Sequence, residues 1–135
     1  MLKTKTRTAE LAVSLDEYIE SRRNKITAEE LRQLGRHLKA FERKAEQAGA
    51  EKRIELLRGI QLMVDMFASS ELAGLRDPVP GDIAELGVAA HYLLKGFDLI
   101  PDSLAGIGLA DDEWIVSRVM QRNPGLSQRV WTQLE

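Results

Sequence analysis

Apolar residues recur at three- and four-residue intervals along most of the chain, and charged residues fill the positions between them. The first such run, over 9–23, places Leu11, Leu15, Tyr18 and Ile19 on one face. This spacing is typical of an amphipathic helix, and alternation typical of a strand never persists beyond a few residues. The pattern therefore predicts an all-α fold, a compact bundle of five to seven helices.

The second predicted helix begins at a capping box, Thr27-Ala28-Glu29-Glu30, and ends at Gly49 as a left-handed cap. Its apolar stripe consists of Leu31, Leu34, Leu38, Phe41 and Ala45. Its opposite face carries charged residues: Arg32, Arg36, Lys39, Arg43, Lys44, Glu42 and Glu46. We interpret this face as solvated and laced with i,i+4 ion pairs, with docking of an acidic partner or phosphate as the alternative.

The third predicted helix spans 51–72 and precedes the one joint rich in proline and glycine, over 74–81. Its predicted buried positions are Ile54, Leu57, Ile60, Met63, Val64 and Phe67, with Leu56, Leu62 and Met66 widening the stripe. We interpret the joint as a loop between two halves of one bundle, because a half of this size would be marginally stable alone. A hinge is the alternative.

A fourth helix is predicted from Asp82 to Lys95, ended by Gly96, with Gly87 permitting a close helix approach. Another follows an aspartate-rich loop and stops at Asn123-Pro124-Gly125, and a short last helix from Leu126 carries Val130, Trp131 and Leu134. These boundaries divide a single helical domain, 1–135, into a basic tail (1–8), N-terminal helices (9–75) and a C-terminal segment (82–120).

The charge distribution narrows the classes of partner. The net charge is −2, with +2 in residues 1–75 and −4 in 76–135, so neither half offers the concentrated basic face of a nucleic-acid-binding protein. The chain has no cysteine, which excludes thiolate chemistry. Acidic residues interrupt the apolar positions after the basic N-terminus, and charges interrupt 83–110, so we expect neither a signal peptide nor a membrane span, and a cytoplasmic protein.

The loop between the last long helices is unusual because it is mostly apolar yet carries aspartates and three glycines. Hard cations such as Mg²⁺, Mn²⁺ or Ca²⁺ bind converging carboxylate and carbonyl oxygens. The candidate ligands are Asp98, Asp102, Asp111 and Asp112, with His91 as an accessory nitrogen ligand. The spacing is not that of an EF-hand, since Leu109 stands where its glutamate would be.

The same aspartates also suit a purely architectural role. Asp98 precedes Leu99-Ile100-Pro101 as the N-cap of a short helix would, and Asp111 or Asp112 could cap the helix bearing Trp114. Capping carboxylates are far commoner in proteins than metal ligands are, so this interpretation is the preferred one.

A resemblance to a known family rests on these residues. The run Tyr92-Leu93-Leu94, then Asp98-Leu99-Ile100-Pro101-Asp102, then Gly108 and Asp111-Asp112 resembles the signature of the YkvA-like family, a bacterial domain of unknown function. The chain departs from the family pattern at Lys95-Gly96, where the family has Ser-Pro, and at Ala105, where it has proline. The resemblance implies a helical fold and no established chemistry.

Three functional hypotheses follow. The first is an interaction or scaffolding module that binds a protein partner or a second copy, and we prefer it. The second is a metal-dependent enzyme or sensor using the aspartates; a standard enzyme is less favoured because the chain lacks a nucleophile elbow and a phosphate-binding glycine motif. The third is a peripheral membrane protein that inserts apolar residues of the loop, Phe97, Leu99, Ile100, Leu104, Ile107 and Leu109.

Overall fold

A computed structural model describes the backbone of residues 15–99 and 105–128, and the side chains of 15–94 and 109–128. Within these ranges the chain is all-α, as predicted, and has no strand. The helices are α1 (15–23), α2 (Ala28–Leu34), α3 (Leu38–Ala50), α4 (Ile54–Ala68), α5 (Gly81–Leu99) and α6 (Ala105–Arg122). Short 3₁₀ turns lie at Gly35–His37, Ser70–Gly74 and Pro124–Gln128.

The start of α2 forms as the sequence predicts. The Thr27 hydroxyl accepts a hydrogen bond from the Glu30 amide at 3.1 Å, which satisfies one free amide of the first turn. A second cap was not predicted: the Asp77 carboxylate accepts from the Ala28 amide at 2.9 Å. This bond fastens the proline-containing loop to the helix start.

The predicted long second helix is broken into α2 and α3 by the 3₁₀ turn at Gly35–His37. A residue of a 3₁₀ turn advances the helix by about 120° rather than about 100°. Three such residues therefore rotate α3 by roughly 60° relative to a continuous helix. The buried residues of α3 are consequently Phe41, Lys44 and Ala48, while Ala45 is only half-buried.

Two further boundaries differ from the prediction. Gly49 is not the left-handed cap, because α3 continues to Ala50 and the residue with positive φ is Lys52, at 58°. The next helix begins at Ile54. The sequence predicted this residue to be buried, but it is 53% exposed. It also ends earlier than predicted, at Ala68.

Helix α5 lies at the centre of the bundle, since all eight residues from 83 to 90 are buried. A helix buried on every side has no polar stripe. Gly87 permits the close approach predicted for it: a Cβ there would lie 2.7 Å from Leu31 Cδ2. The predicted end at Gly96 is wrong, because α5 continues to Leu99.

The pair α4 and α6 packs equally closely. A Cβ on Gly59 of α4 would lie 2.1 Å from Cγ1 of Val116 on α6, so only glycine fits there without a shift. The core draws on both sides of the proline-rich joint, from Ile19 on α1 to Leu126 after α6. No helix in the described ranges has the length and apolar character to cross a bilayer.

Candidate functional site

The predicted metal ligands do not lie in a loop where the structure describes them. Helix α6 begins at Ala105, so Asp111 and Asp112 are in its second turn and cap nothing. Asp98 lies in the last turn of α5, so it is not the N-cap of a helix starting at Leu99. The side chains of Asp98 and Asp102 lie outside the described residues. The capping interpretation is therefore wrong for Asp98, Asp111 and Asp112.

The two adjacent aspartates of α6 have opposite environments. Asp111 is exposed, whereas Asp112 is completely buried. Oδ2 of Asp112 accepts a hydrogen bond from the ammonium of Lys44 on α3, which is itself 7% exposed. This ion pair links residues 68 positions apart in sequence and joins α3 to α6 inside the core. Lys44 therefore does not belong to the solvated face on which the sequence placed it.

Among the described residues, the second oxygen of Asp112 has no hydrogen-bond partner. Burial raises the pKa of this carboxyl, the Lys44 ammonium opposes the rise, and the negative charge of Asp111 adds to it. A buried carboxylate oxygen without a donor is costly. Asp112 is thus a carboxylate with one oxygen satisfied and one able to accept a proton, a donor or a cation.

Tyr92 of α5 lies close enough to Asp111 and Asp112 for their negative charges to affect its phenol. Burial raises the pKa of its phenol, and the charges of Asp111 and Asp112 raise it further. The ring contacts that of Tyr18 edge to face, with centroids 6.1 Å apart. Among the described side chains, no three histidine or acidic residues come together as a metal site, and His91 of α5 is half-buried without joining one.

A second buried carboxylate, Glu85 of α5, was not among the residues that the sequence singled out. Both of its oxygens are fully used. Arg122 donates to Oε1 and Oε2 at 2.9 and 3.1 Å, Asn123 to Oε1 at 2.9 Å, and Arg23 to Oε2 at 2.6 Å. Burial alone would raise the pKa of Glu85, but these hydrogen bonds outweigh it and the pKa is lowered.

The Glu85 cluster ties the ends of three helices together. Arg23 closes α1, Arg122 closes α6, and Glu85 lies in the first turns of α5. Outward from it, Arg118 donates two hydrogen bonds of 2.7 Å to the two oxygens of Asp16 on α1. Because every oxygen of Glu85 has a donor, the cluster works as a brace and offers no open position for a ligand.

A groove of about 550 Å³ lies between α4 and α6. Its apolar lining comes from Leu62 and Met120, both half-buried, and from Pro124 in the 3₁₀ turn. Charged and polar residues form the rest of the lining: Glu55, Arg58, Gln61, Asp65, Gln121 and Ser127. The sequence predicted Leu62 as a core position and gave no sign of the groove, because a groove depends on how two helices are spaced.

The structure also bears on the apolar residues proposed to enter a membrane. Leu109 is 2% exposed and belongs to the core, so its predicted membrane contact is wrong. The side chains of Phe97, Leu99, Ile100, Leu104 and Ile107 lie outside the described residues. Arg32, predicted on a solvated face, donates to the carbonyls of Leu72 and Leu75 at 3.3 and 3.1 Å.

Comparison with known proteins gives one match. A family model described as a protein of unknown function (DUF1232) matches residues 82–117. The matched stretch holds all of α5 but its first residue and the larger part of α6, and it includes Glu85, Tyr92 and Asp112 but not Lys44. No curated protein and no solved structure matched the chain. The segment predicted at 82–120 is therefore similar to a domain of unknown function.

Proposed function

We propose that the protein is an interaction module that binds an amphipathic helix of a partner protein in the groove between α4 and α6. The observation that supports this is the groove itself, with an apolar floor and a rim carrying both charges. Helix-in-groove recognition needs these two features, because apolar anchors supply affinity and rim charges orient the helix. We also propose that the chain is a member of the YkvA-like family and that the protein is cytoplasmic, as the sequence predicts.

The rim favours a partner with a basic residue beside its apolar anchors. Glu55 and Asp65 of α4 are exposed and acidic, and Arg58 is the basic residue between them. A basic side chain of the partner helix is attracted by the negative charge of Asp65, and the apolar residues of that helix cover Leu62 and Met120. The proposed partner is therefore a helix with apolar residues at three- and four-residue spacing and a lysine or arginine on the flank.

The test uses a displayed library of helical peptides selected on the whole protein, followed by affinity measurement for each recovered peptide. Asp65→Lys is the groove variant and Glu42→Lys is its matched control, because Glu42 is also an exposed acid and lies on α3 outside the groove. We expect recovered peptides to carry a basic residue and to bind Asp65→Lys about tenfold more weakly, as loss of one favourable charge pair predicts, with Glu42→Lys unchanged. Equal binding to both variants, or no recovered peptide, overturns the proposal.

A second candidate function, binding of Mg²⁺, Mn²⁺ or Ca²⁺, is favoured by the unpartnered oxygen of Asp112. Asp111 is its neighbour in α6, and the sequence adds Asp98 and Asp102, whose side chains lie outside the described residues, as further candidate ligands. Lys44 already supplies one positive charge to the same carboxylate. A bound cation would consequently have to be held by additional carboxylates.

The test is thermal unfolding of the chelator-stripped protein titrated with each cation. Binding to the native state at a hundredfold excess over the dissociation constant stabilises it by about 2.7 kcal/mol. We expect a rise in midpoint that Asp111→Asn abolishes and Glu113→Gln, the adjacent residue on α6, leaves intact. An unchanged midpoint with every cation overturns this candidate.

A further inference from the structure

We infer that the protein has a second groove, which binds a short peptide with free ends, so that one ligand carries both an ammonium and a carboxylate. This groove has a volume of about 760 Å³ and lies where the turn after α1 meets the joint rich in proline and glycine. Its lining comes from residues 23–27 and 77–84. The lining of the groove between α4 and α6 is a different set of residues, so the inference is independent of the proposed function.

Two opposite charges line the second groove, and each has a partner other than the opposite charge. The Arg23 guanidinium donates to the buried carboxylate of Glu85 at 2.6 Å, and its side chain is 40% exposed. The exposed carboxylate of Asp77 accepts from the Ala28 amide through one oxygen. A guanidinium has further N–H donors, and a carboxylate has a second oxygen. The groove therefore offers donors for the carboxylate of a ligand and an acceptor for its ammonium.

Both charged groups are held in place before a ligand binds. Arg23 is fixed by Glu85, and Glu85 is itself fixed by donors from Arg122 and Asn123. Asp77 is fixed by its bond to the first turn of α2. A side chain that is already ordered loses little conformational freedom on binding, so more of its interaction energy appears as affinity. The brace at Glu85 thus also positions a group that can recognise a ligand.

The rest of the lining suits a peptide with apolar side chains. Ile26 and Ala84 are buried residues of the groove, and Val79 is half-buried. Covering apolar surface with a ligand removes it from water, which stabilises the complex. The Thr27 hydroxyl accepts from the Glu30 amide, and its proton remains able to bond to a peptide carbonyl. The volume lies in the range of about 300–1,000 Å³ that is typical of ligand pockets, which favours a peptide of a few residues over a single amino acid.

Binding is tested by NMR titration of the full chain with trileucine, whose two ends are free. We expect the amide signals of Thr27, Val79 and Gly81 to shift and to reach saturation. N-acetyl-trileucine and trileucine amide each lack one of the two charges. Each should bind roughly ten- to a hundredfold more weakly, as loss of a hydrogen bond to a charged group predicts. Blocked peptides or free leucine that bind as tightly as trileucine, or an absence of shifts in this groove, overturn the inference.

Asp77→Asn tests which residue accepts the ammonium. Asparagine keeps an oxygen for the Ala28 amide and removes only the charge, so α2 should begin as in the parent. Because the ammonium and the carboxylate form one contact, removing both should cost no more than removing either. Asp77→Asn should therefore weaken trileucine as much as acetylation does and leave the acetylated peptide unaffected. Asp65→Asn, which changes an exposed acid of the other groove, is the matched control. Additive losses, or an equal effect of Asp65→Asn, overturn the inference.

A steric variant tests the groove without changing a charge. Gly81 lines the groove, and a Cβ there would meet no atom of the described residues within 4 Å. Gly81→Phe therefore adds a ring in open space. Gly74→Phe is the matched control, because a Cβ on Gly74 would also meet nothing and this glycine lies outside the groove. Both variants should keep the helical content of the parent, and only Gly81→Phe should lose trileucine. Binding that survives Gly81→Phe, or that both variants lose equally, overturns the inference.

Discussion

Two carboxylates are buried among the described residues, Glu85 and Asp112, which are 2% and 0% exposed, yet their surroundings differ completely. Glu85 receives four hydrogen bonds from three side chains at the helix ends. Asp112 accepts from one ammonium on one oxygen, deep between α3 and α6, and no other described residue donates to its second oxygen. The pKa of Glu85 is lowered and that of Asp112 is raised.

The comparison shows that the number of hydrogen-bond donors, and not burial, decides whether the ionised form of a buried carboxylate is stabilised. Desolvation raises the pKa of both groups, and only Glu85 has enough donors to reverse the effect. A buried carboxylate whose two oxygens both accept hydrogen bonds has a structural role. A buried carboxylate with one oxygen that lacks a donor can still accept a proton or bind a cation there.

Breaking the Asp112 pair should have the largest effect. Asp112→Asn removes the carboxylate that accepts a hydrogen bond from the buried ammonium of Lys44, and removal of one partner of a buried pair costs roughly 3–5 kcal/mol. We expect a loss of this size in urea denaturation. Replacing both partners, Lys44→Met with Asp112→Val, should recover most of it, since an apolar pair needs no charge balance. A loss below about 1 kcal/mol for the single variant would show that the pair contributes little.

Breaking the Glu85 cluster should cost less, although more hydrogen bonds are lost. The side chains of Arg23 and Arg122 are 40% and 18% exposed, so they can regain water. We expect Glu85→Gln to destabilise the protein by about 1.5–3 kcal/mol, the range for hydrogen bonds to charged groups. Glu20→Gln is the control, because Glu20 is 55% exposed and meets Arg122 only at 3.3 Å. Similar losses in both variants would contradict the brace.

The pH dependence should have opposite signs at the two sites. Glu85 has a lowered pKa, so its stabilisation is present above the unfolded value of about 4.5 and is lost as the pH falls through the folded pKa. Asp112 has a raised pKa, so its contribution is present below about 3.8 and is lost as the pH rises through the folded pKa.

Two difference curves of unfolding free energy against pH check these signs. The gap between the parent and Glu85→Gln should narrow as the pH falls below about 4.5. As the pH falls through the folded pKa of Asp112 toward the unfolded value of about 3.8, the parent should gain on the Lys44→Met, Asp112→Val variant. Curves that move in the same direction would mean that the two carboxylates do not differ as described.

The smallest effect is expected at the exposed pair next to the cluster. Asp16 and Arg118 form two bonds of 2.7 Å, but water reaches both side chains, which are 27% and 32% exposed. We expect Asp16→Asn to cost about 0.2–1 kcal/mol, and high salt to reduce the difference. A salt-independent loss as large as that of Glu85→Gln would show that exposure does not separate the pairs.

The sequence predicted the helices well wherever apolar spacing is regular. The stripe of Leu31, Leu34 and Phe41 is buried, the cap at Thr27 forms, and α6 stops at Arg122 before Asn123-Pro124-Gly125. These features depend on contacts within one or two turns. A single sequence therefore contains what is needed to predict them.

The candidate site was predicted less well, because its partners are far apart in sequence. Lys44 stands among other charged residues, and only the rotation introduced by the turn at Gly35–His37 brings it inward. The sequence did contain a signal, because Phe41, Lys44 and Ala48 stand at helical spacing and so share one face of α3. Asp112 was named as a candidate ligand from the sequence, but its location within α6 was not predicted, because the glycines and aspartates at 106–112 resemble a loop.

The contact of Gly59 with Val116 also has an evolutionary consequence. The two positions share one small volume, so a side chain can grow at one only if it shrinks at the other. We expect related chains with alanine at the position of Gly59 to carry glycine or alanine at that of Val116. Since 59 lies outside the matched family segment and 116 inside it, such paired variation would reveal that the two parts have diverged together as one inherited unit.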